Sequence, residues 1–213
     1  MSTNAVAAVG QRAIESVAPQ RTPVPVSDLR AAISRAYTRV TGQAPPANVL
    51  QSLSAQATLE TGGGSAMYNF NFGGVKGASP HGQSASCLTH EVVNGKDTTV
   101  RQNFRAYASL DEGAEDYVRV MVQKFGGALA CAAAGNLDGF AHALKAAGYY
   151  TASETDYASA LKACSGEPTA QGNSALLPVP SWPVTFPSSI DVARLADALS
   201  ASALKIAEPS SSG

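Results

Sequence analysis

Apolar residues recur at every third or fourth position through most of residues 27–166, and this spacing predicts amphipathic helices. A first helix begins at Ser27 and Asp28, which can cap its free amides, and it ends near Gly42. A second helix opens at the Pro45–Pro46 pair and runs to about Glu60. Three later helices are predicted to follow the capping residues Ser109, Asn136 and Ser153.

Between Leu88 and Tyr107 the pattern changes from a helical period to alternation, which predicts a β-hairpin. Asn94 and Gly95 supply its turn, which we expect to be slightly longer than the minimum. The preceding segment, residues 65–87, is rich in Gly, Ser and Asn and has no clear period, so we predict a loop there. The domain is therefore expected to be mostly helical, with one inserted hairpin.

The two ends of the chain differ in composition from this domain, which we place at residues 27–166. Residues 1–26 are polar and Ala-rich, and they predict a flexible N-terminal arm. Residues 167–188 contain five prolines and predict a linker. An amphipathic helix is predicted over 189–207, followed by a disordered tail over 208–213.

Composition and charge exclude several classes of function. With 213 residues and 45 % apolar content the chain can bury a core, but its net charge of −1 argues against nucleic acid as a partner. No apolar run approaches the roughly 20 residues that span a bilayer, so we expect no membrane insertion. The N-terminus lacks the basic flank and apolar stretch of a secretory signal peptide.

The cysteines and histidines do not have the spacing of a metal site. Cys87, Cys131 and Cys164 fit either three buried or partly buried thiols or a Cys131–Cys164 disulfide with one free thiol. Cys87 lies near His90, but no further signature of a thiol protease accompanies the pair. The glycine run that follows Glu60 lacks the Lys and Ser or Thr of a phosphate-binding loop.

Glu60 is the residue whose position points to chemistry. Leu53, Ala57 and Glu60 share one side of the second predicted helix, so the carboxyl group lies beside the buried face. Glu60 is also at the C-terminal end of that helix, where the helix dipole disfavours a negative charge. Both effects raise a pKa, and a carboxyl group that stays protonated near neutral pH can act as a general acid.

Glu91 is a candidate for a second catalytic carboxylate. It lies on the hairpin face opposite Leu88 and Val92, so it can point into a groove instead of the core. Glycoside cleavage often uses a second carboxylate across the cleft, either as a base or to stabilise an oxocarbenium ion.

Five short segments carry a resemblance to a known family. They are Gln56 to Gly62, Asn71 to Gly77, Glu91 to Lys96, Phe104 to Ser109, and Gly148 to Thr151 with Tyr157 and Ala158. In this order, over about residues 48–164, they resemble the motifs of the bacterial endo-β-N-acetylglucosaminidases of glycoside hydrolase family seventy-three. That family includes the enzyme domain of flagellar rod muramidases.

The resemblance implies an α+β, mainly α fold: a lysozyme-like helical domain with one β-hairpin bordering the active-site cleft. It implies a peptidoglycan hydrolase that cleaves the glycan backbone at N-acetylglucosamine, with Glu60 as general acid and no cofactor. Glu91 is then the second carboxylate, and Tyr149 positions the N-acetyl group. The substrate-binding residues implied are Asn71, Lys76, Tyr107, Tyr150 and Tyr157.

Two positions depart from the family pattern. Gly73 replaces an aromatic residue, so a contact that stacks on the sugar is expected to be missing or moved. Tyr150 replaces a small residue, which leaves two adjacent tyrosines as candidates for the cleft. Tyr149 is preferred because it follows Gly148, as in the family.

Two other activities remain open at this stage. A lytic transglycosylase would share the fold and the acid but would close an anhydro ring without water. A non-catalytic wall-binding component of a phage tail or secretion machine would bind glycan strands without shortening them.

The expected partners are peptidoglycan glycan strands, met in the periplasm or the cell wall. The absence of a recognisable signal peptide favours a non-classical route: a type VI or other contractile system, a phage tail, or holin-type release. A component of such a machine, or an immunity protein, is then a candidate protein partner.

Overall fold

In the computed structural model, residues 14–93, 96–150 and 152–166 are described, the side chains of 89–97 excepted. Within these residues the chain forms six helices and one sheet of three strands. The elements are β1 Glu15–Val17, α1 Val26–Thr41, α2 Ala47–Glu60, β2 Gln83–Val93, β3 Lys96–Arg105, α3 Leu110–Lys124, α4 Gly126–Ala133, α5 Leu137–Ala146 and α6 Glu154–Ser165. The predicted fold class, mainly helical with a small β component, is confirmed.

Helix α2 lies at the centre of the helical part. It packs against α1, α4 and α6, while α1 also packs on α3 and α4 on α5. The residues of α2 from Ser52 to Ala57 are all buried, polar ones included. The largest fully buried side chains around it are Leu29, Ile33, Leu53, Met67, Phe72, Met121, Phe140, Leu144 and Leu161. A side chain at the end of α2 is consequently held by a rigid, close-packed helix.

The start of α2 after Pro46 is confirmed, and of the four predicted side-chain caps three are confirmed and one is wrong. The side chains of Ser109, Asn136 and Ser153 each accept a backbone N–H from the first turn of their helix. Helix α1 instead begins at Val26 directly after Pro25, and no side chain caps it. Ser27 therefore lies inside the first turn. The ring of Pro25 restricts the backbone where the helix begins, and the Pro25 carbonyl accepts the backbone N–H groups of Asp28 and Leu29.

Helix α4 was not predicted from the sequence. Its segment, Gly126–Ala133, reads GGALACAA and consists of small or apolar residues on all sides, so it carries no periodicity. Two of its alanines, Ala128 and Ala132, are buried in the core. Tertiary packing of small side chains forms this helix, and a sequence pattern does not reveal such packing.

The β-hairpin is confirmed, with two corrections to its bounds. Strand β2 begins at Gln83, inside the segment predicted as loop, because Ser84 pairs with Arg105 and the ladder continues to the tip. Val93 pairs with Lys96, so only two residues separate the strands. The prediction of a turn longer than the minimum is therefore wrong.

The prediction of a flexible arm over residues 1–26 is wrong for its second half. Strand β1 pairs in parallel with the start of β2. The backbone then follows the loop after α2: Thr22 N–H donates to the Met67 carbonyl, and Val24 N–H donates to the Gly64 carbonyl. Residues 14–25, the N-terminal strap, are held to the domain by backbone hydrogen bonds that hydropathy patterns do not encode.

The remaining predictions about the chain ends fall outside the described residues. These are the start of the arm, the linker over 167–188, the helix over 189–207 and the tail over 208–213. Among the described helices, none combines the length and apolar character that crossing a membrane requires. Cys87, Cys131 and Cys164 are free and partly buried, as in the first of the two alternatives for the thiols.

Candidate active site

Glu60 is the last residue of α2, and the backbone turns sharply after it. Gly62, Gly63 and Gly64 all adopt positive φ angles, of 55°, 68° and 79°, which glycine reaches without strain. Thr61 supports the turn, because its hydroxyl donates to the Ala57 carbonyl and accepts from Gly64 N–H. The turn contributes no side chain in front of Glu60, and Glu60 itself stays partly exposed.

Surrounding protein keeps the Glu60 carboxyl group largely out of water. This desolvation raises the pKa of Glu60 to about 7, against an ordinary value of 4.5. A hydrogen bond from the Tyr157 hydroxyl to Glu60 Oε1, 3.0 Å long, acts in the opposite direction and lowers the pKa. Burial is the larger effect, so the Glu60 carboxyl group holds its proton to a higher pH than an exposed glutamate does. The predicted effect of burial on Glu60 is thus confirmed.

A chain of buried hydrogen bonds leads from Tyr117 to Glu60; we call it the relay. The Tyr117 hydroxyl donates to Gln56 Oε1 over 2.7 Å, and Gln56 Nε2 donates to the Tyr157 hydroxyl over 3.4 Å. Tyr157 in turn donates to Glu60. Gln56 has no exposed surface, so its amide relies on these protein partners. The relay connects α3, α2 and α6.

Tyr149 lies close to Glu60 and is almost fully buried. Burial, and then the charge of Glu60, raise the pKa of the Tyr149 hydroxyl well above its ordinary range. The hydroxyl donates to the Gly73 carbonyl over 3.4 Å, and the ring packs edge-on against Phe125. A Cβ at position 73 would lie 2.8 Å from the Tyr149 hydroxyl oxygen. The departure at Gly73 therefore makes room for Tyr149.

Tyr150 has a different environment from Tyr149. Its ring stacks on the Tyr157 ring with centroids 3.8 Å apart and planes at 13°. Its hydroxyl donates to the Ala141 carbonyl, which fixes it to α5. Of the two adjacent tyrosines, Tyr149 is the one whose pKa the charge of Glu60 raises. The ring of Tyr150 instead packs against the ring of Tyr157.

Asn71 connects the loop after α2 to the sheet. Its side-chain amide donates to the carbonyls of Val75 and Arg105, both over 3.0 Å, and its Oδ1 accepts from Val75 N–H. Both amide hydrogens are therefore used inside the protein. Lys76 follows in the same loop, where its backbone bridges to Phe104. Contact of either residue with substrate stays a prediction.

Tyr107 belongs to a second buried cluster, away from the relay. Its hydroxyl and the Arg105 guanidinium both donate to Asp116 Oδ2, the latter over 2.7 Å. Burial and the negative charge of Asp116 raise the pKa of Tyr107. The Tyr107 hydroxyl is thus committed to Asp116, which gives it a structural role, and its contact with substrate also stays a prediction.

Glu91 can be located only by its backbone, which pairs with Thr98 near the tip of the hairpin. Its side chain lies outside the described residues, so its catalytic role stays a prediction. In the described part of the chain, no group of three His, Cys, Asp or Glu side chains could hold a metal ion.

Sequence reasoning included Tyr157 among the site residues but missed Gln56 and Tyr117, the other two members of the relay. Gln56 precedes Glu60 by four positions and therefore shares its side of α2, and a polar residue among Leu53 and Ala57 was a usable signal. Tyr117 lies on α3 and was not predicted as a site residue. Its contact with Gln56 spans 61 positions, and no local pattern reveals such a contact.

Solved structures with a similar fold include two wall-degrading enzymes. A peptidoglycan hydrolase mutant from Sphingomonas sp. A1 is 26 % identical, with a TM-score of 0.51 over 66 % of this chain and 90 % of that chain. The catalytic domain of the autolysin Auto from Listeria monocytogenes is 24 % identical, with a TM-score of 0.50 over 67 % of this chain and 84 % of that chain. The second likeness shows the fold alone.

Comparison with curated protein sequences found no match. A family model described as mannosyl-glycoprotein endo-β-N-acetylglucosaminidase matches residues 47–167, which is more than half of the chain. The matched range begins with α2 and ends just after α6, so it contains Glu60, the relay and the hairpin. The chain therefore belongs to the endo-β-N-acetylglucosaminidase family of glycoside hydrolases.

Proposed function

We propose that this protein hydrolyses the glycan backbone of bacterial peptidoglycan at N-acetylglucosamine, with Glu60 as the general acid. The observation that carries the proposal is the pKa of Glu60, which desolvation raises to about 7 at a partly exposed helix end. An acid with this pKa is protonated often enough at neutral pH to donate, and it is strong enough to give the proton up.

The two carboxyl oxygens of Glu60 have different tasks in this mechanism. Oε1 accepts the hydrogen bond from Tyr157, so Oε2 is the oxygen that protonates the glycosidic oxygen as the bond breaks. The carboxylate formed by this step keeps the Tyr157 donor, and a hydrogen bond to a charged acceptor is about twice as strong as one to a neutral acceptor.

Glu91 completes the mechanism as the second carboxylate. It either activates the attacking water or stabilises the positively charged intermediate, and the acetamide of the substrate can assist. Its backbone pairs with Thr98 near the tip of the hairpin. Tyr149, next to Glu60 and buried, positions the N-acetyl group.

Peptidoglycan is the proposed substrate because the similar Sphingomonas structure is of a peptidoglycan hydrolase. The site of action is then the periplasm or the cell wall, where this polymer lies. A secretion, tail or immunity protein as a partner belongs to the same proposal.

The test is digestion of purified peptidoglycan by the wild-type protein and by Glu60→Gln, followed by borohydride reduction and mass analysis of the fragments. We expect reduced N-acetylglucosamine ends with the wild type and none with the variant. Circular dichroism of both proteins controls for folding. A folded Glu60→Gln protein with wild-type activity would contradict the role of Glu60.

The same digest separates the two other activities. Fragments that end in anhydromuramic acid, lighter by one water, would identify a lytic transglycosylase in place of a hydrolase. Retention of glycan strands with no shortening would identify a wall-binding component.

A further inference from the structure

Both the ring and the hydroxyl of Tyr157 have partners in the protein, and the hydroxyl faces Glu60. Its ring stacks on Tyr150, whose own hydroxyl is anchored to α5. Its hydroxyl oxygen accepts from Gln56 Nε2 and its hydrogen is donated to Glu60 Oε1. The contact with Glu60 joins residues 97 positions apart, which ties the end of α2 to α6.

The amide of Gln56 determines which way the Tyr157 hydroxyl donates. Gln56 Oε1 accepts the short hydrogen bond from Tyr117, so the NH₂ group of the amide faces Tyr157. A donor on that side cannot accept the Tyr157 hydrogen, which leaves Glu60 as its acceptor. The Tyr117 hydroxyl also lies 3.1 Å from the Leu53 carbonyl, so its hydrogen is directed at two acceptors of α2.

A donor fixed at Oε1 also decides where the proton of neutral Glu60 lies. A proton on Oε1 would face the hydroxyl hydrogen of Tyr157, whereas a proton on Oε2 leaves Oε1 free to accept. We infer that Tyr157, directed by Gln56 and Tyr117, is a positioning residue that keeps the transferable proton of Glu60 on Oε2. This inference rests on the proposed function, since it assigns the proton that the general acid donates.

Among the described residues, the titratable groups that act on Glu60 are phenols. Tyr157 comes from α6, Tyr117 from α3 and Tyr149 from the segment after α5. Burial raises the pKa of each hydroxyl above its ordinary value, so all three stay neutral while Glu60 titrates. A shift in the titration of Glu60 after substitution of a relay residue therefore reports on hydrogen bonding to its carboxylate.

The experiment is a pH titration of the full chain labelled with ¹³C at the Glu carboxyl carbons, with the Glu60 signal assigned by its loss in Glu60→Gln. Tyr157→Phe keeps the ring on Tyr150 but removes the donor, and we expect it to raise the midpoint by about 1 to 2 pH units. Gln56→Met keeps the donor but removes the amide that directs and polarises it, and we expect an upward shift of about 0.2 to 0.5 units.

Gln51→Met is the matched control. Gln51 is on the same helix and donates to the Ser165 carbonyl, so its loss perturbs the contact between α2 and α6 without touching the relay. We expect no shift of the Glu60 midpoint. If Gln56→Met fails to fold, Tyr117→Phe replaces it, with a smaller upward shift expected. An unmoved midpoint in Tyr157→Phe, or equal shifts in Gln56→Met and Gln51→Met, would overturn the inference.

Kinetics on peptidoglycan add a second readout. A positioning residue acts on the chemical step, so Tyr157→Phe is expected to lower kcat by about tenfold and to leave KM within about twofold. A rise in KM with unchanged kcat would assign Tyr157 to substrate binding instead. The NMR titration needs no substrate, so a protein that cleaves no peptidoglycan would overturn the proposed function and still leave the relay testable.

Discussion

Glu60 and Asp116 both accept a hydrogen bond from a tyrosine hydroxyl, but within the described residues Asp116 also has a cation beside it and Glu60 does not. Asp116 receives the guanidinium of Arg105 as well as the hydroxyl of Tyr107, inside a cluster with almost no exposed surface. Glu60 accepts a hydrogen bond from Tyr157, and desolvation raises its pKa to about 7. In the described part of the chain no Lys or Arg side chain offsets that desolvation.

This difference fits a structural role for Asp116 and the proposed acid role for Glu60. A buried carboxylate paired with Arg has its charge compensated and holds elements together, here the end of β3 and helix α3. A carboxyl group among phenols has no compensating charge and exchanges its proton near neutral pH. Substitutions at the two sites should therefore separate activity from stability.

The largest effect is expected for Glu60→Gln, which removes the acid and keeps the size of the side chain. We expect activity on peptidoglycan to fall by about 10²- to 10⁴-fold, because no other group donates the proton. Thermal unfolding at pH 7 should show a melting temperature no lower than that of the wild type. A large loss of stability in Glu60→Gln would show that Glu60, like Asp116, stabilises the fold, and it would contradict the difference drawn between them.

Asp116→Ala should have the opposite effect. It leaves the buried Arg105 guanidinium without its partner, and the free energy of unfolding is expected to fall by about 3–5 kcal/mol. Urea unfolding measures this directly. Asp111→Ala is the control, because Asp111 pairs with Arg35 and Arg39 at the surface and should cost less than about 1 kcal/mol.

How far the sequence predicted these two sites depends on whether a contact is local. Glu60, its helix and its burial follow from apolar spacing within one helix, and Ser109, Asn136 and Ser153 cap their helices from within a few positions. The partners of Glu60 and Asp116 were not predicted. Tyr157 reaches Glu60 across 97 positions, and such contacts depend on how helices pack.

Strand β1 and helix α4 were missed for related reasons. The three residues of β1 are joined to the sheet by backbone hydrogen bonds, which depend little on side-chain type. Helix α4 is apolar all round, so it has no polar face to mark its period. The sequence thus pointed to Glu60 as the candidate acid, but it did not predict the contacts that hold Glu60 in place.

The pH dependence of stability should also separate Glu60→Gln from the wild type. The pKa of Glu60 is higher in the folded protein than in the unfolded chain, so the unfolded chain loses this proton at a lower pH. The free energy of unfolding of the wild type therefore falls as the pH rises from about 4.5 to about 7. The variant lacks this loss. The free energy of unfolding of the variant minus that of the wild type should therefore rise by about 1–3 kcal/mol from pH 4.5 to pH 8. This value is smaller than the full pKa shift implies, because Glu60 is partly exposed. Urea unfolding at both pH values measures it, and a constant difference would contradict a raised pKa.

The smallest effect concerns the space beside Tyr149. Gly73→Ala places a Cβ within 2.8 Å of the Tyr149 hydroxyl, which must move, and we expect kcat to fall by about threefold to tenfold. On a Tyr149→Phe background that collision is absent, so the same substitution should change kcat by less than about twofold. A double-mutant cycle on peptidoglycan digestion provides the measurement, and additive effects would show that the two positions are independent.

The most direct test of the account is to compare the titration of Glu60 in the free protein with the pH dependence of kcat/KM, which reports the essential groups of the free enzyme. Because Glu60 must be protonated to act, we predict that activity declines as pH rises and that this alkaline limb has its midpoint near 7, where burial sets the pKa of Glu60. The ¹³C titration of Glu60 should give the same midpoint. A Glu60 that titrates near 4.5, or an alkaline limb that does not follow its titration, would contradict the assignment of Glu60 as the acid.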